Sequence, residues 1–345
     1  MPVTQLDVAI VAGVSRKTVS NVINGYPHVT PEVITRVNAA IAELGYTPSR
    51  AARSLRTGRT GTIQLIIPEL DVAYFAEMGR WVVAAAEARG LAVLVTQTLG
   101  DPAREEQAIH GETAEYVDGS ILSPVFSDVA TILRGRAKAP IVLLGELAGG
   151  GSLTHVGIDN VAAARAATAH LLERGYERVA FIGAQHHTRA RMAHMRLQGY
   201  REALEAAGMP YDESLIETTP GYHRPHGADA MQRLLEHARP DAVFCATDFL
   251  ALGAMRTARD RGLRLPDDLA VVGFDDIEEG QYSAPRLTTI SPDKRRIAEV
   301  AVEQLIAQIG GANSGRPSEL EIPFRLVVRE SSGNGAQDPR ADAAT

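Results

Sequence analysis

From Thr62 onward the chain repeats one pattern: a short, almost wholly apolar run, then a stretch of helical length, then the next apolar run. "TIQLIIP", "LAVLVTQ", "GSILSP" and "PIVLLGE" are too uniformly apolar to leave one face in water, which marks strands of a parallel sheet covered by helices on both sides. Helical stretches at 76–89 and 104–115 separate them. A second series follows with "THVGIDN", "RVAFIGA", "DAVFCAT" and "LAVVGFDD", its helices expected at 162–174, 194–207, 227–237 and 249–261. The pattern predicts an α/β core of two doubly wound parallel-sheet lobes. Such lobes in succession leave a cleft at the carboxyl ends of both sheets, where open α/β folds place ligands.

A chain of 345 residues, 45% of them hydrophobic, can bury more than one core. It has no apolar run of about 18 residues, and its first residues lack the basic end and greasy stretch of an export signal, so it is expected in the cytoplasm. The single cysteine, Cys245, excludes an internal disulfide and a cysteine-rich zinc site. The ten histidines show no helical metal-binding pair, and the adjacent His186 and His187 read as solvated loop residues. No metal and no cofactor are implied.

Charge separates the first sixty residues from the rest. They hold seven Lys or Arg against three acids, a balance of +4, which leaves −11 of the chain's net −7 for the remainder. Within this basic part three short helices are expected. Thr4 and Asp7 form a capping pair for the first, with Leu6, Ala9 and Ile10 as its apolar stripe. Gly13 ends it. Ser15 caps the second helix, whose inward residues are Val19, Val22 and Ile23 and which stops at Asn24-Gly25. Thr30 and Pro31 start a third, with Val33, Val37, Ala40, Ile41 and Leu44 facing inward.

The spacing of Ala9, Gly13, Val19 and Val22 is that of a helix-turn-helix, in which a small residue and a glycine turn let two helices meet. The second helix shows Arg16, Lys17, Ser20 and Asn21 on its outward face. Two cations at a helix N-terminus oppose the peptide dipole. They make sense if DNA supplies the negative charge. A small helical domain with a polar surface is the other reading of these residues. The next stretch, "YTPSRAARSLRTGRTG", is too basic to fold alone: it is either a flexible tether or a segment that turns helical on phosphates, presenting Leu55 to the minor groove.

Between Pro2 and Arg329 the chain resembles bacterial transcription regulators of the lactose and galactose repressor (LacI/GalR) family. The headpiece run "VTQLDVAIVAGVSRKTVSNVINGYPHVTPEVITRVNAAIAELGYTPSRAARSLRTG" carries the resemblance first, followed in order by "VDGSILSP", "HLLERGYERVAFIG", "MRLQGYREAL", "ATDFLALGAMR" and "LAVVGFDDIEEGQYSAPRLTTI". It implies an all-α helix-turn-helix headpiece at 1–48 and a hinge helix at 49–60. It implies a periplasmic-binding-protein-like core with one lobe at 61–158 plus 290–322, a second at 159–289 plus 323–332, and a tail at 333–345.

Carried over residue by residue, the resemblance makes Arg16, Lys17 and Asn21 the major-groove readers. Thr4, Ser15, Thr18, Ser20, Asn24, His28 and Thr30 become phosphate or groove-edge contacts, and Ala52 with Leu55 the minor-groove hinge. The implied partners are a pseudopalindromic operator, a second copy of the chain in a homodimer, and a small-molecule effector in the cleft. For the cleft, Tyr74, Phe75, Ser123, Arg196, Tyr222, Asp248 and Asp275 offer stacking faces and hydroxyl-binding forks that suit a sugar. An anionic effector held by Arg196 and a purine-type corepressor remain open, Asp275 also reads as a capping residue, and Glu146 has no assigned role. Two rival classes fit less well. An exported sugar-binding protein would need a signal and no basic headpiece, and an enzyme would need a nucleophile with its base, a metal or a phosphate loop, of which the sequence shows none.

Overall fold

The computed structural model describes residues 3–47, 58–125, 132–133, 139–145, 153–187, 190–311 and 318–333. The chain divides into two compact units, Met1–Gly61 and Thr62–Thr345.

The first unit is three helices: α1 (Gln5–Ala12), α2 (Arg16–Ile23) and α3 (Pro31–Leu44). Thr4 and Asp7 complete a reciprocal capping box on α1, and Gly13 ends it in the left-handed region at φ 63°, returning its N–H to Ala9 and Ile10 carbonyls. The core is small: Val8, Ala9, Ala12, Val19, Val37 and Ala40 are buried, with Val22, Ile23, Val33, Ile41 and Leu44 packed around them. The inward face of α1 differs from the expected stripe. Ala9 points inward, but Leu6 and Ile10 are 57% and 70% exposed, and Val8 and Ala12 take their place. Val8 and Ala12 lie four residues apart beside Ala9, so the face of smallest side chains is the one turned to α2 and α3, which lets three short helices approach closely.

The second unit holds two six-stranded sheets. The first lobe runs β1 (Thr62–Ile67), α4 (Ala73–Glu87), β2 (Ala92–Gln97), α5 (Pro102–His110), a 3-10 turn at Glu112–Tyr116, β3 (Ser120–Leu122), β4 (Ile141–Leu144) and β5 (Thr154–Gly157). The second lobe runs α6 (Asn160–Glu173), β6 (Val179–Ala184), α7 (Arg191–Ala206), β7 (Ile216–Thr218), α8 (Arg224–His237), β8 (Ala242–Cys245), α9 (Asp248–Asp260), β9 (Ala270–Phe274), α10 (Glu278–Gln281) and β10 (Thr288–Pro292). The chain then returns as α11 (Lys294–Ile309) and β11 (Glu319–Glu321) to the first lobe and ends as β12 (Phe324–Val327) in the second.

The sheet orders are β11-β5-β4-β3-β1-β2 and β12-β10-β9-β8-β6-β7. Every pairing is parallel except β12 against β10. The central strands are buried along their whole length, as their apolar composition requires. Three connections join the lobes: after β5, after β10 and between β11 and β12. The second crossing falls after Pro292 and not at 290, because Thr288–Pro292 is one strand paired to β9 and to β12. No helix among the described residues is long and apolar enough to cross a membrane.

Candidate functional site

Two places bring functional side chains together, one in each unit. On α2, Ser15 stands just before the helix and its Oγ accepts from Thr18 N at 3.0 Å while pairing with Thr18 Oγ1 at 2.9 Å. Ser20 and Asn24 are likewise tied, Asn24 Nδ2 donating to Ser20 O and, at 3.3 Å, to Ser20 Oγ. These four side chains fix the helix ends. Arg16 and Lys17, one turn away on the same helix, are exposed and have no acid in the first turn to pair with. Among the described residues neither makes a hydrogen bond or an ion pair. Asn21 is half-buried beside them, His28 and Thr30 are exposed, and Thr30 precedes α3 without a side-chain cap bond. Thr4 spends its hydroxyl on the α1 capping box. The result is a short, doubly capped helix whose first turn presents two solvated cations. Ala52 and Leu55 lie outside the described residues, as does Glu146.

Between the lobes lies a small cavity of about 20 Å³. That is room for about one water, far below the roughly 300–1,000 Å³ of open ligand sites. Tyr74, Arg196 and Asp275 line it, together with Gly157 and Ile158 at the first crossing and Phe274 at the end of β9. Tyr74 arrives on the first turn of α4, Arg196 on the second turn of α7, and Asp275 at the left-handed turn that follows β9, with φ 118°.

Arg196 is only 5% exposed and is held on several sides. Its Nε donates to Asn160 Oδ1 at 2.9 Å, Nη1 donates to Ala246 O, and Nη1 lies 3.8 Å from Asp275 Oδ1. Its guanidinium lies over the Phe274 ring at 3.4 Å from the centroid. A planar cation locked beside a carboxylate and facing an aromatic ring sets a hydrogen-bond donor next to an acceptor, with the Tyr74 ring on another wall of the cavity.

The other expected cleft residues stand elsewhere. Phe75 packs into the core of the first lobe, edge-on to Tyr74 at 5.3 Å between centroids. Ser123 follows β3 and donates its backbone N–H to Ile66 O. Tyr222 packs against the core of the second lobe. None of the three lines the cavity.

Asp248 is also absent from the lining, and its surroundings explain why. It has no exposed surface; Oδ1 accepts from Thr289 Oγ1 at 2.6 Å and Oδ2 from Ile277 N at 3.0 Å. Burial pushes its carboxyl up to about 6 against the pull of those bonds. Asp248 braces the turn that presents Asp275 from behind. Sequence reasoning missed Asn160 and Phe274, which immobilise Arg196; the "GIDN" and "GFDD" strand ends that hold them were the available signal. His186 and His187 are exposed loop residues.

The chain is similar to known proteins along nearly its whole length. Residues 4–49 match the family model described as bacterial regulatory proteins, lacI family, and residues 168–332 match a periplasmic binding protein-like domain. The HTH-type transcriptional regulator CelR of Thermobifida fusca is 37% identical over 334 residues, covering 94% of this chain and 96% of that protein. A solved transcriptional regulator CelR–cellobiose complex superposes with a TM-score of 0.72 at 34% identity, over 95% of this chain and 99% of that one. The lac repressor dimer bound to operator and the anti-inducer ONPF gives a TM-score of 0.86 at 28% identity, over 97% and 100% of the two chains.

Proposed function

The chain belongs to the lacI family of bacterial regulatory proteins, and from that premise we propose that it is a repressor that binds a pseudopalindromic operator as a homodimer and yields it to a sugar. The observation that carries the reading is the pair of solvated cations on the first turn of α2. Arg16 and Lys17 stand where the helix dipole disfavours them and where no carboxylate among the described residues pairs with them. Phosphates and guanine edges in a major groove provide that compensation. Asn21, one turn on, offers the amide that pairs with adenine. Leu55, with Ala52, serves as the wedge between the two half-sites.

The cleft reading rests on Arg196, Asp275 and Tyr74. Arg196 and Asp275 sit 3.8 Å apart and nearly offset each other, so the fork they form is close to neutral and matches a neutral polyol. A ligand held there bridges Tyr74 of the first lobe and Asp275 of the second, which already share one cavity. The ligand therefore favours one lobe arrangement, and the segment between core and headpiece carries the difference to DNA. No catalysis is part of this reading.

A titration on a pseudopalindromic fragment, run at about 50 and 200 mM salt, tests it. Expected are a fall in affinity of about a thousandfold or more between the two salts, a further loss on Arg16→Ala, and a change in affinity on adding a sugar such as cellobiose that Arg196→Ala abolishes. Binding that ignores both salt and the identity of residue 16 would sink the proposal.

A further inference from the structure

Behind the cavity wall the first lobe meets the second through one buried cation. Lys294 opens α11, which packs on α4 of the first lobe, and its Nζ lies 2.5 Å from Glu77 Oε2 on α4. The same Nζ donates to Asp275 O at 2.7 Å and Asp276 O at 2.8 Å in the second lobe. The other carboxylate oxygen of Glu77, Oε1, accepts from Glu278 N at 3.1 Å. A single ammonium–carboxylate pair anchored in one lobe thus makes three hydrogen bonds to Asp275, Asp276 and Glu278, within a run of four residues of the other.

Those four residues are held in an unusual backbone. Asp275 has φ 118°, a value that L residues adopt only when their surroundings impose it, and Asp276 follows in the left-handed region at φ 50°. From its own lobe the turn is fixed by Asp275 N donating to Ile290 O, Ile277 N donating to Asp248, and Arg329 Nη2 reaching Asp276 Oδ1 at 2.6 Å. From the opposite lobe it is fixed by Lys294, on which both turn carbonyls converge. Lys294 is 8% exposed, and an ammonium that deep persists only when it is paired and its donors are used. Its stem lies beside Tyr74, with Nζ 5.9 Å from the ring centroid. The latch therefore touches both the Tyr74 and the Asp275 walls of the cavity without lining it. Another contact between the lobes, His223 Nε2 with Glu69 Oε2 at 2.9 Å, is far more exposed and correspondingly screened.

We propose that Glu77 and Lys294 are a positioning pair for the cleft: they set the Asp275 turn and are fully bonded only when the lobes are closed, so they hold the closed arrangement before any ligand arrives. Opening the cleft takes two carbonyls from Lys294 and one amide from Glu77. A ligand that spans Tyr74 and Asp275 then binds to a turn already in place. The consequence for the ligand rests on the effector reading above; the closure itself is read without any ligand.

Hydrogen exchange on the full-length, ligand-free protein tests the pair, followed in peptides covering 73–87 and 275–281. Glu77→Gln and Lys294→Met each are expected to speed exchange in 275–281 by about tenfold, the loss of one charged hydrogen bond. The double variant is expected to add nothing further, because either change alone undoes the latch. Peptides from β6 and β8 are expected to exchange as in the wild type, and His223→Ala to leave 275–281 unchanged. Unaltered exchange at 275–281 in both single variants would overturn the proposal. So would additive increases that spread into β6 and β8, since the pair would then be only a general brace of the lobe. A parallel titration with cellobiose separates the two readings: a wild type that binds no sugar counts against the effector assignment, while the exchange comparison decides the latch.

Discussion

Asp248 carries a charge-capable group at a place with no exposed surface, and its protonation is a testable property of the folded chain. Burial raises its carboxyl to about 6; the bonds from Thr289 and Ile277 and the field of Lys294 oppose the shift, and Asp276 adds to it. An aspartate in the unfolded chain titrates near 3.9, so the folded state holds the proton more tightly. Asp248 accordingly contributes stability that is fully present below about pH 4 and is lost as pH rises through about 6. Two units correspond to about 3 kcal/mol. Comparing wild type with Asp248→Asn by denaturant unfolding across pH 4 to 7, the wild type is expected to lose up to about 3 kcal/mol relative to the variant as pH rises. His170 acts in the opposite sense, since burial lowers its imidazole to about 4 and its contribution, present above about 6.5, is lost on acidification through about 4. It is common to both proteins and cancels in the difference. A pH-independent gap would mean that Asp248 is ionised throughout and that its two hydrogen bonds outweigh its burial.

The helices of the second lobe meet through glycines. A Cβ on Gly253 of α9 would strike the Arg224 carbonyl and Ala228 N of α8, and one on Gly227 of α8 would strike the Leu250 backbone of α9. Backbone therefore rests on backbone, which fixes the spacing of the two helices whose N-termini carry His223 and Asp248. Gly253→Ala is expected to destabilise the core by roughly 1–3 kcal/mol through overpacking, although alanine in an exposed helix would stabilise by about 1 kcal/mol. The sign of the shift in the urea midpoint decides between close packing and mere propensity.

The same contrast between local and distant causes explains what could be read from the sequence. The central strands and the main helices declared themselves, because a fully buried strand must be apolar throughout and a covering helix must alternate. β7, β11 and β12 are three or four residues long, too short to show a period. β10 appeared only as part of a resembling motif. In the small headpiece, the period admitted two neighbouring faces of α1, and only packing against α2 and α3 chose the one with Val8 and Ala12. In the cleft, Arg196, Asp275 and Tyr74 stand at element ends where ligand groups are expected. Glu77 and Lys294 look in the sequence like ordinary helix-surface charges, since what buries them belongs to the other lobe: Glu278, 201 residues from Glu77, and Asp275 and Asp276, 19 and 18 residues before Lys294.

At the scale of the molecule, the headpiece and the core are separate compact units, so a sugar in the cleft and DNA on α2 can influence each other only through a change in the equilibrium between whole-chain states. Thermodynamics then fixes a symmetry. If the sugar alters operator affinity by some factor, saturating operator must alter sugar affinity by the same factor, typically about 5- to 150-fold in coupled systems. The chain provides its own reporter: Trp81, its one tryptophan, lies on α4 one turn beyond Glu77, under the guanidinium groups of Arg80 and Arg295. Titrating cellobiose by Trp81 fluorescence, with and without a saturating operator fragment, gives one factor; titrating operator with and without cellobiose gives the other. Lys17→Ala is expected to lower operator affinity while leaving the factor unchanged, because its cation meets phosphates in whichever state is bound. Arg196→Ala is expected to bring the factor to one. A sugar affinity that saturating operator does not move would refute coupling between cleft and headpiece, however tightly each ligand binds alone, since a ligand indifferent to the two states shifts nothing.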